Sequence, residues 1–274
     1  MSPFDRLLEA TAFVKQNLCH EVDTAIICGT GLGPLASQLA NPQILPYSEI
    51  PGFPMGTVKG HGNRMIYGDL AQKKVLAFQG RFHFYEGYGM DQITLPVRVM
   101  QQLGVKTMIV TNAAGGLNRN YSVGDIMIIE DHINFMFQNP LIGPNLEELG
   151  PRFPDMSEPY SRKAGALIQK LATKGKTRIQ KGVYLGVTGP SYETRSELRF
   201  FARHADAVGM STIPEVIAAQ HSGIPNVLGL SVITNLATGE DTHKESHDAV
   251  LKAADEATAR VLGLVETFCK EWDE

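Results

Sequence analysis

Apolar residues along this chain recur in two rhythms, and their alternation is the first structural signal. Short unbroken runs at Thr24-Ala-Ile-Ile-Cys28, Val75-Leu-Ala-Phe78 and Thr107-Met-Ile-Val-Thr111 read as buried strands, as do 125–130, 182–187 and 226–233. Phe4, Leu7, Leu8, Val14 and Leu18 fall at helical spacing and predict an amphipathic helix over 3–18, although Thr11 and Lys15 interrupt its apolar face. Helical spacing resumes at Leu35, Ala36 and Leu39. It predicts further helices over 91–103, bent at Pro96, and over 160–174. Val250, Ala254, Ala257, Val261, Leu264, Val265 and Phe268 give a final amphipathic helix, after which Trp272 has no assignable role. Thr194-x-x-Glu197 and Thr212-x-x-Glu215 carry the capping-box pattern, in which a hydroxyl and a carboxylate satisfy free N–H groups at a helix start. The segment 46–54 and the Pro- and Gly-rich stretch 138–159 read as loops. No repeat, low-complexity tract or linker divides this order, so one α/β domain over 1–274 is expected.

Composition narrows the class. A net charge of -4 argues against a nucleic-acid binder. Cys19, Cys28 and Cys269 are sparse, odd in number and without metal-ligand spacing, which fits a reducing compartment and no metal site. Met1-Ser-Pro-Phe-Asp-Arg6 lacks a basic segment followed by an apolar core, and no stretch approaches a membrane span. A cytoplasmic protein that binds neither membrane nor nucleic acid is the expectation.

Polar residues gather where the apolar strands end, the place where open α/β sheets hold ligands. Gly29-Thr-Gly-Leu-Gly33 follows the first strand; its glycines let the backbone approach an anion, and Thr30 adds a hydroxyl. A dinucleotide reading fails there, because Pro34 stands where a third glycine belongs and no acidic residue ends a second strand. His61 lies between two glycines, a setting that suits either a flexible surface loop or a ligand contact. Past Gly80 the chain alternates. If it stays extended, Arg81, His83 and Tyr85 share one side, while Phe82, Phe84 and Glu86 share the other. Arg supplies a planar fork of donors suited to a tetrahedral oxyanion, so this stretch reads as the anion end of a site. Taken alone, an Arg-aromatic turn suits an oligomer contact equally well. Asn112-Ala-Ala-Gly-Gly116, Ser191-Tyr-Glu193, Ser211 beside a helix start, and Thr234-Asn235 complete the polar set.

With Gly29–Gly33, His61, Arg81-Phe-His-Phe-Tyr85, Thr111–Gly116, Ser191-Tyr-Glu193, Val208-Gly-Met-Ser211 and Thr234-Asn235 in that order, the chain resembles the purine nucleoside phosphorylases, specifically their trimeric, low-molecular-mass branch selective for 6-oxopurines. The resemblance implies one α/β domain of the phosphorylase/nucleosidase type, with a mixed, partly barrel-like central sheet flanked by helices. It implies reversible phosphorolysis of 6-oxopurine (2′-deoxy)ribonucleosides (inosine, guanosine, xanthosine) to free purine and (deoxy)ribose 1-phosphate. Phosphate would be held by Thr30, Arg81, His83, the Ala113 N–H and Ser211, with His61 nearby. Glu193 and Asn235 would read the purine beside Tyr192 and Val208. Met210 and Tyr85 would carry the ribose, and His247, or its neighbour His243, would reach the 5′-hydroxyl. Phe153 matches an aromatic that enters a neighbouring subunit's site, which implies a homotrimer. No metal or organic cofactor is implied, phosphate being a co-substrate. Thr30 stands where Ser is commoner and keeps the hydroxyl; Tyr192 stands where Phe is usual and adds one.

The chemistry suits these residue types. Phosphate is a weak nucleophile and the departing purine gains negative charge, so positioning and electrostatic stabilisation are what a protein can add. Asn235, Glu193 and His83 are the expected catalytic residues. Three other functions compete. A 5′-methylthioadenosine phosphorylase would favour an acid at 235, a nucleoside hydrolase would not need the Arg81 anion site, and a non-catalytic nucleoside-binding protein would not need the intact polar set.

Overall fold

The computed structural model describes residues 2–18, 22–58, 60–240 and 246–273. Among them nine strands form a single mixed sheet: β1 Thr24–Cys28, β2 Ala40–Pro46, β3 Arg64–Leu70, β4 Lys73–Gln79, β5 Thr107–Gly116, β6 Ile126–Asn134, β7 Ile179–Gly186, β8 Ala207–Gly209 and β9 Asn226–Leu236. The sheet runs β2-β3-β4-β1-β5-β8-β7-β6-β9, and β5 also pairs with β9. That second pairing closes β5, β8, β7, β6 and β9 into a five-stranded barrel-like ring, with β2-β3-β4-β1 extending from it. The parallel pairs are β1 with β4 and β5, β5 with β9, and β7 with β6 and β8. The pairs β2–β3, β3–β4, β5–β8 and β6–β9 are antiparallel.

The helices are α1 Pro3–Asn17, α2 Met90–Gln102, α3 Arg162–Lys174, α4 Arg195–Phe201, α5 Ile213–His221 and α6 His247–Glu271. They follow from the period-2 burial of the strands. In β1, Ala25 and Ile27 join one apolar core while Ile26 and Cys28 join another, and in β4 Leu76 and Phe78 part from Val75 and Ala77 in the same way. The first core is closed by α1, α2 and α5, the second by α3 and α6. In α6, Val261, Val265 and Phe268 are wholly buried, each contributing about 1.5–3 kcal/mol relative to exposure.

Several elements differ from the expected pattern. Behind the first glycine turn stands a short 3₁₀ segment over Gly33–Gln38 in place of an α-helix. There α6 takes the space beside the turn: a Cβ on Gly31 would sit 2.3 Å from the Ala254 Cβ, and Thr258 Oγ1 donates to the Gly31 carbonyl at 2.8 Å. Strands β2, β3 and the three-residue β8 are additional; β2 is an edge strand with five exposed residues in a row, so no hydrophobic alternation marks it. Finally, Trp272 is buried. It stacks on Phe268 at 5.1 Å, donates from Nε1 to Thr107 Oγ1 at 3.0 Å, and pins the end of α6 to the start of β5.

Candidate active site

The site is built where β1, β4, β5 and β9 end. After β4, Gly80 takes φ 112°, and a Cβ there would lie 2.8 Å from the His61 Cβ, so only glycine lets the His61 ring approach. The expected alternation holds through His83. Arg81 and His83 line the cavity, while Phe82 is buried against Tyr47 and Phe53 with ring centroids 5.4 and 6.2 Å away. It then breaks, because Phe84–Glu86 form a 3₁₀ turn. Tyr85 still reaches the site, stacked on His83 at 4.7 Å, and His61 also stacks on His83 at 5.3 Å.

Glu86 is the consequence of that turn. Expected on the apolar side, it folds back so that one oxygen accepts from the His83 N–H and from Nδ1, each at 2.9 Å. Its other oxygen accepts from the Thr57 N–H and hydroxyl at 2.5 and 2.7 Å. Burial alone would raise this carboxyl, but the bonds from the His83 ring and Thr57 outweigh it and bring it down to about 2. Burial lowers His83 against the pull of Glu86, and burial together with the nearby His83 and Arg81 lowers His61 to about 3. Both imidazoles are therefore neutral near pH 7, and Glu86 fixes His83 with Nδ1–H as donor and Nε2 as acceptor.

Arg81 is almost wholly buried, and its guanidinium is held on two sides. Nε donates to Glu215 Oε1 at 3.0 Å, while Nη1 donates to the Thr111 carbonyl at 2.7 Å and to Ser211 Oγ at 3.2 Å. Nη2 has no hydrogen-bond partner among the described residues. Nη2 is itself fully enclosed, so it is Nη1, beside Ser211, that the structure places at the anion end. Thr212, which opens α5, takes φ 70° and ψ -49°, and the Ile213 N–H donates back to the Ser211 carbonyl at 2.8 Å. This is a γ-turn of the strained positive-φ kind, unusual for a β-branched residue and found where function fixes the backbone. It is anchored by Asn112 Nδ2 donating to Thr212 Oγ1 at 2.9 Å, and the Ser211 N–H reaches the buried Tyr184 hydroxyl at 3.4 Å.

One cavity of about 140 Å³ collects the predicted residues. Thr30, Arg81, His83, Tyr85, Ala113 and Ser211 line it. So do Tyr192, Glu193, Val208, Met210, Asn235 and His247. His61 stands behind this lining, its Nε2 3.5 Å from Thr30 Oγ1 and its Nδ1 3.1 Å from the Arg81 carbonyl. The Thr234 hydroxyl donates to Asn235 Oδ1 at 3.1 Å, which leaves the Asn235 amide nitrogen to donate elsewhere. Glu193 sits just before Thr194, whose capping box opens α4 as the pattern predicted. Phe153 lies apart, 87% exposed, in the loop between β6 and α3.

Known proteins of one family resemble this chain along nearly its whole length. A model of the Phosphorylase superfamily matches residues 23–270. Purine nucleoside phosphorylase 1 of Bacillus subtilis is 51% identical over 98% of this chain and 99% of its own. The purine nucleoside phosphorylase of Mus musculus is 48% identical over 93% of this chain and 90% of its own. A crystal structure of Schistosoma mansoni purine nucleoside phosphorylase in complex with inosine superposes with a TM-score of 0.94 at 36% identity, covering 100% of this chain and 99% of that one. The chain belongs to the phosphorylase superfamily, among its purine nucleoside phosphorylases.

For this phosphorylase, sequence reading missed Glu86, Glu215 and Tyr184 as parts of the site. Glu86 follows His83 by three residues, the spacing at which a carboxylate can reach back to a turn's first residue, and that was the available signal. Glu215 was read as a helix cap. The Thr212 side chain makes no cap bond, and the carboxylate turns inward to Arg81 because a buried guanidinium needs a counter-charge. His243 lies outside the described residues, as does Cys19. No helix among the described residues is long and apolar enough to cross a membrane.

Proposed function

We propose that this chain catalyses the reversible phosphorolysis of 6-oxopurine ribonucleosides and 2′-deoxyribonucleosides, giving free purine and (deoxy)ribose 1-phosphate. The observation that carries the reading is one cavity holding Arg81, His83 and Ser211 together with Glu193 and Asn235. The first three suit a tetrahedral oxyanion; the last two present an acceptor and a donor to a flat base. Arg81, Thr30, Ser211 and the Ala113 N–H hold phosphate. His83 either donates after taking up a proton or accepts from a protonated phosphate oxygen, and His61 supports Thr30. Bound beneath the sugar, the anion both attacks C1′ and stabilises the positive charge that grows there.

Asn235 donates to N7 or O6 of the purine as negative charge builds, a bond stronger in the transition state than in the ground state. Glu193 accepts from N1–H, which 6-oxopurines have and adenine lacks. Leaving that bond unmade with adenine costs about 1–3 kcal/mol. Tyr192 and Val208 flank the base, and Met210, Tyr85 and His247 line the ribose. Phosphate is a co-substrate, and the step calls for no metal or organic cofactor. Phe153, largely exposed in one copy of the chain, completes the ribose side of a neighbour's site in a homotrimer. The buried cysteines Cys28 and Cys269, with thiols raised to about 12 chiefly by burial, suit a cytoplasmic protein.

The test is an ultraviolet assay of inosine and 5′-methylthioadenosine with and without phosphate. The reading requires inosine cleavage that depends on phosphate. Cleavage without phosphate identifies a hydrolase, preference for methylthioadenosine a different phosphorylase, and no cleavage of either a binding protein.

A further inference from the structure

We propose that Glu215 is a positioning residue for the anion site: its carboxylate aims the Arg81 guanidinium and holds its charge in check, so that phosphate is bound in one pose and released. The inference rests on the phosphate-site reading above. Nothing in the sequence pattern assigns this role, since Glu215 has the spacing of a helix-capping carboxylate.

Three observations carry it. First, the pair is dry. The side chains of Arg81 and Glu215 are 3% and 4% exposed, so each is the other's only way to be charged at low cost. Second, the pair is single-toothed. Nε donates to Oε1 at 3.0 Å, but among the described residues neither Nη2 nor Oε2 has a hydrogen-bond partner. A guanidinium clamped by a two-toothed carboxylate would spend Nη2 on the protein. Here Nε alone goes to Glu215, and Nη1, bonded to Thr111 and Ser211, is the nitrogen at the anion end. Third, the carboxylate rides on the first turn of α5, directly after the strained turn at Thr212 that also sets Ser211. One backbone device therefore fixes both Ser211, which meets the anion, and the carboxylate that aims Arg81.

The electrostatic consequence is specific. A carboxylate one residue removed from a dianion weakens its binding, while the hydrogen bond from Nε keeps the guanidinium plane in place. The charge and the bond can be separated by substitution. Glu215→Gln keeps an oxygen for Nε and removes the charge. Glu215→Ala removes both and leaves Arg81 buried without a fixed direction.

Initial rates with inosine at varied phosphate, on the full chain, decide the matter. Glu215→Gln is expected to lower the KM for phosphate by about threefold or more, with kcat unchanged or reduced through slower release of the phosphate ester. Glu215→Ala is expected to raise that KM and to lower kcat, each by about tenfold or more. Phosphate should also raise the melting temperature of Glu215→Gln further than that of the natural protein, because the ligand replaces the missing counter-charge. Opposite movements of the phosphate KM in the two variants are a signature that a merely structural carboxylate would not give. If Glu215→Ala fails to fold, the direction of the Glu215→Gln shift and its phosphate stabilisation still decide. An unchanged or raised phosphate KM in Glu215→Gln overturns the proposal. Natural protein that cleaves inosine without phosphate overturns the reading of the site instead.

Discussion

Replacing Glu86 by Gln removes one charge and one acceptor from the most heavily bonded carboxylate near the site. Each of its oxygens accepts two bonds, from the His83 N–H and ring on one side and from the Thr57 N–H and hydroxyl on the other. A glutamine has one oxygen, so its NH₂ must face one of these pairs. Facing Thr57, the hydroxyl can turn and accept, but the backbone N–H loses its acceptor and meets a donor. Facing His83, both the backbone N–H and the ring are affected. One lost buried acceptor costs about 1–3 kcal/mol, and the remaining bonds lose their charge assistance, so a total of about 2–4 kcal/mol is expected. At about 2–4 °C per kcal/mol for a chain of this size, the melting temperature falls by roughly 5–15 °C. The His83 ring, no longer held in one tautomer and direction, should raise the phosphate KM about tenfold.

The acid dependence has a definite sign. The Glu86 carboxyl lies at about 2 in the folded protein against an ordinary 4.5, so its stabilisation is complete above 4.5 and is lost as the pH falls toward 2. The gap in melting temperature between natural protein and variant must therefore close over that window. Calorimetry from pH 7 down to 3, with phosphate titrations of inosine cleavage at pH 7, measures both. A variant that melts within a degree of the natural protein and keeps its phosphate KM within twofold would refute the reasoning.

Further predictions follow from single contacts. Asn235→Ala should lower the rate of inosine phosphorolysis by about 10²-fold or more, as loss of a transition-state donor does; single-turnover rates close to those of the natural protein would remove its leaving-group role. Trp272→Ala should cost about 3–5 kcal/mol, a drop on the order of 10 °C by calorimetry, because it empties a buried site and removes the bond from the indole to Thr107 Oγ1; an unshifted melting curve would show that the chain end contributes nothing. Gly31→Ala should strain a positive-φ turn and push α6 away, since the added Cβ would meet Ala254 at 2.3 Å; weaker protection of α6 amides from hydrogen exchange is the expected sign, and unchanged protection would contradict it.

Much of the fold was legible because burial imposes period. The runs 24–28, 75–78, 107–111 and 226–233 sit between two apolar layers, so most residues there are apolar and the polar ones are chiefly Thr and Ser, and all four are strands. Strands β2 and β3 were illegible for the opposite reason. One is exposed along most of its length, and the turn joining β3 to β4 places Ala71 and Gln72 at φ 49° and 71°, where Asn-Gly or Gly would have signalled a hairpin. Trp272 was unreadable because its partners, Thr107 and Phe268, come together only in the folded sheet.

The candidate site shows the same division. The residues gathered at strand ends could be read in order, and all of them except His61 and Phe153 line one cavity. Glu86 and Glu215 were hidden because a carboxylate's partner depends on which way a short turn sends it. His83 and Arg81 decided that; the three-residue spacing from His83 hinted at it for Glu86, while nothing in the sequence linked Glu215 to Arg81.

The central claim is that one cavity holds an inorganic oxyanion and a purine at the same time. Crystals of the natural protein grown with phosphate and hypoxanthine test it most directly. The account predicts phosphate within hydrogen-bond distance of Arg81, His83 and Ser211, and hypoxanthine with N1 toward Glu193 and its O6 or N7 edge toward Asn235, both in the same cavity. Phosphate bound away from Arg81, or a base that meets neither Glu193 nor Asn235, would contradict it.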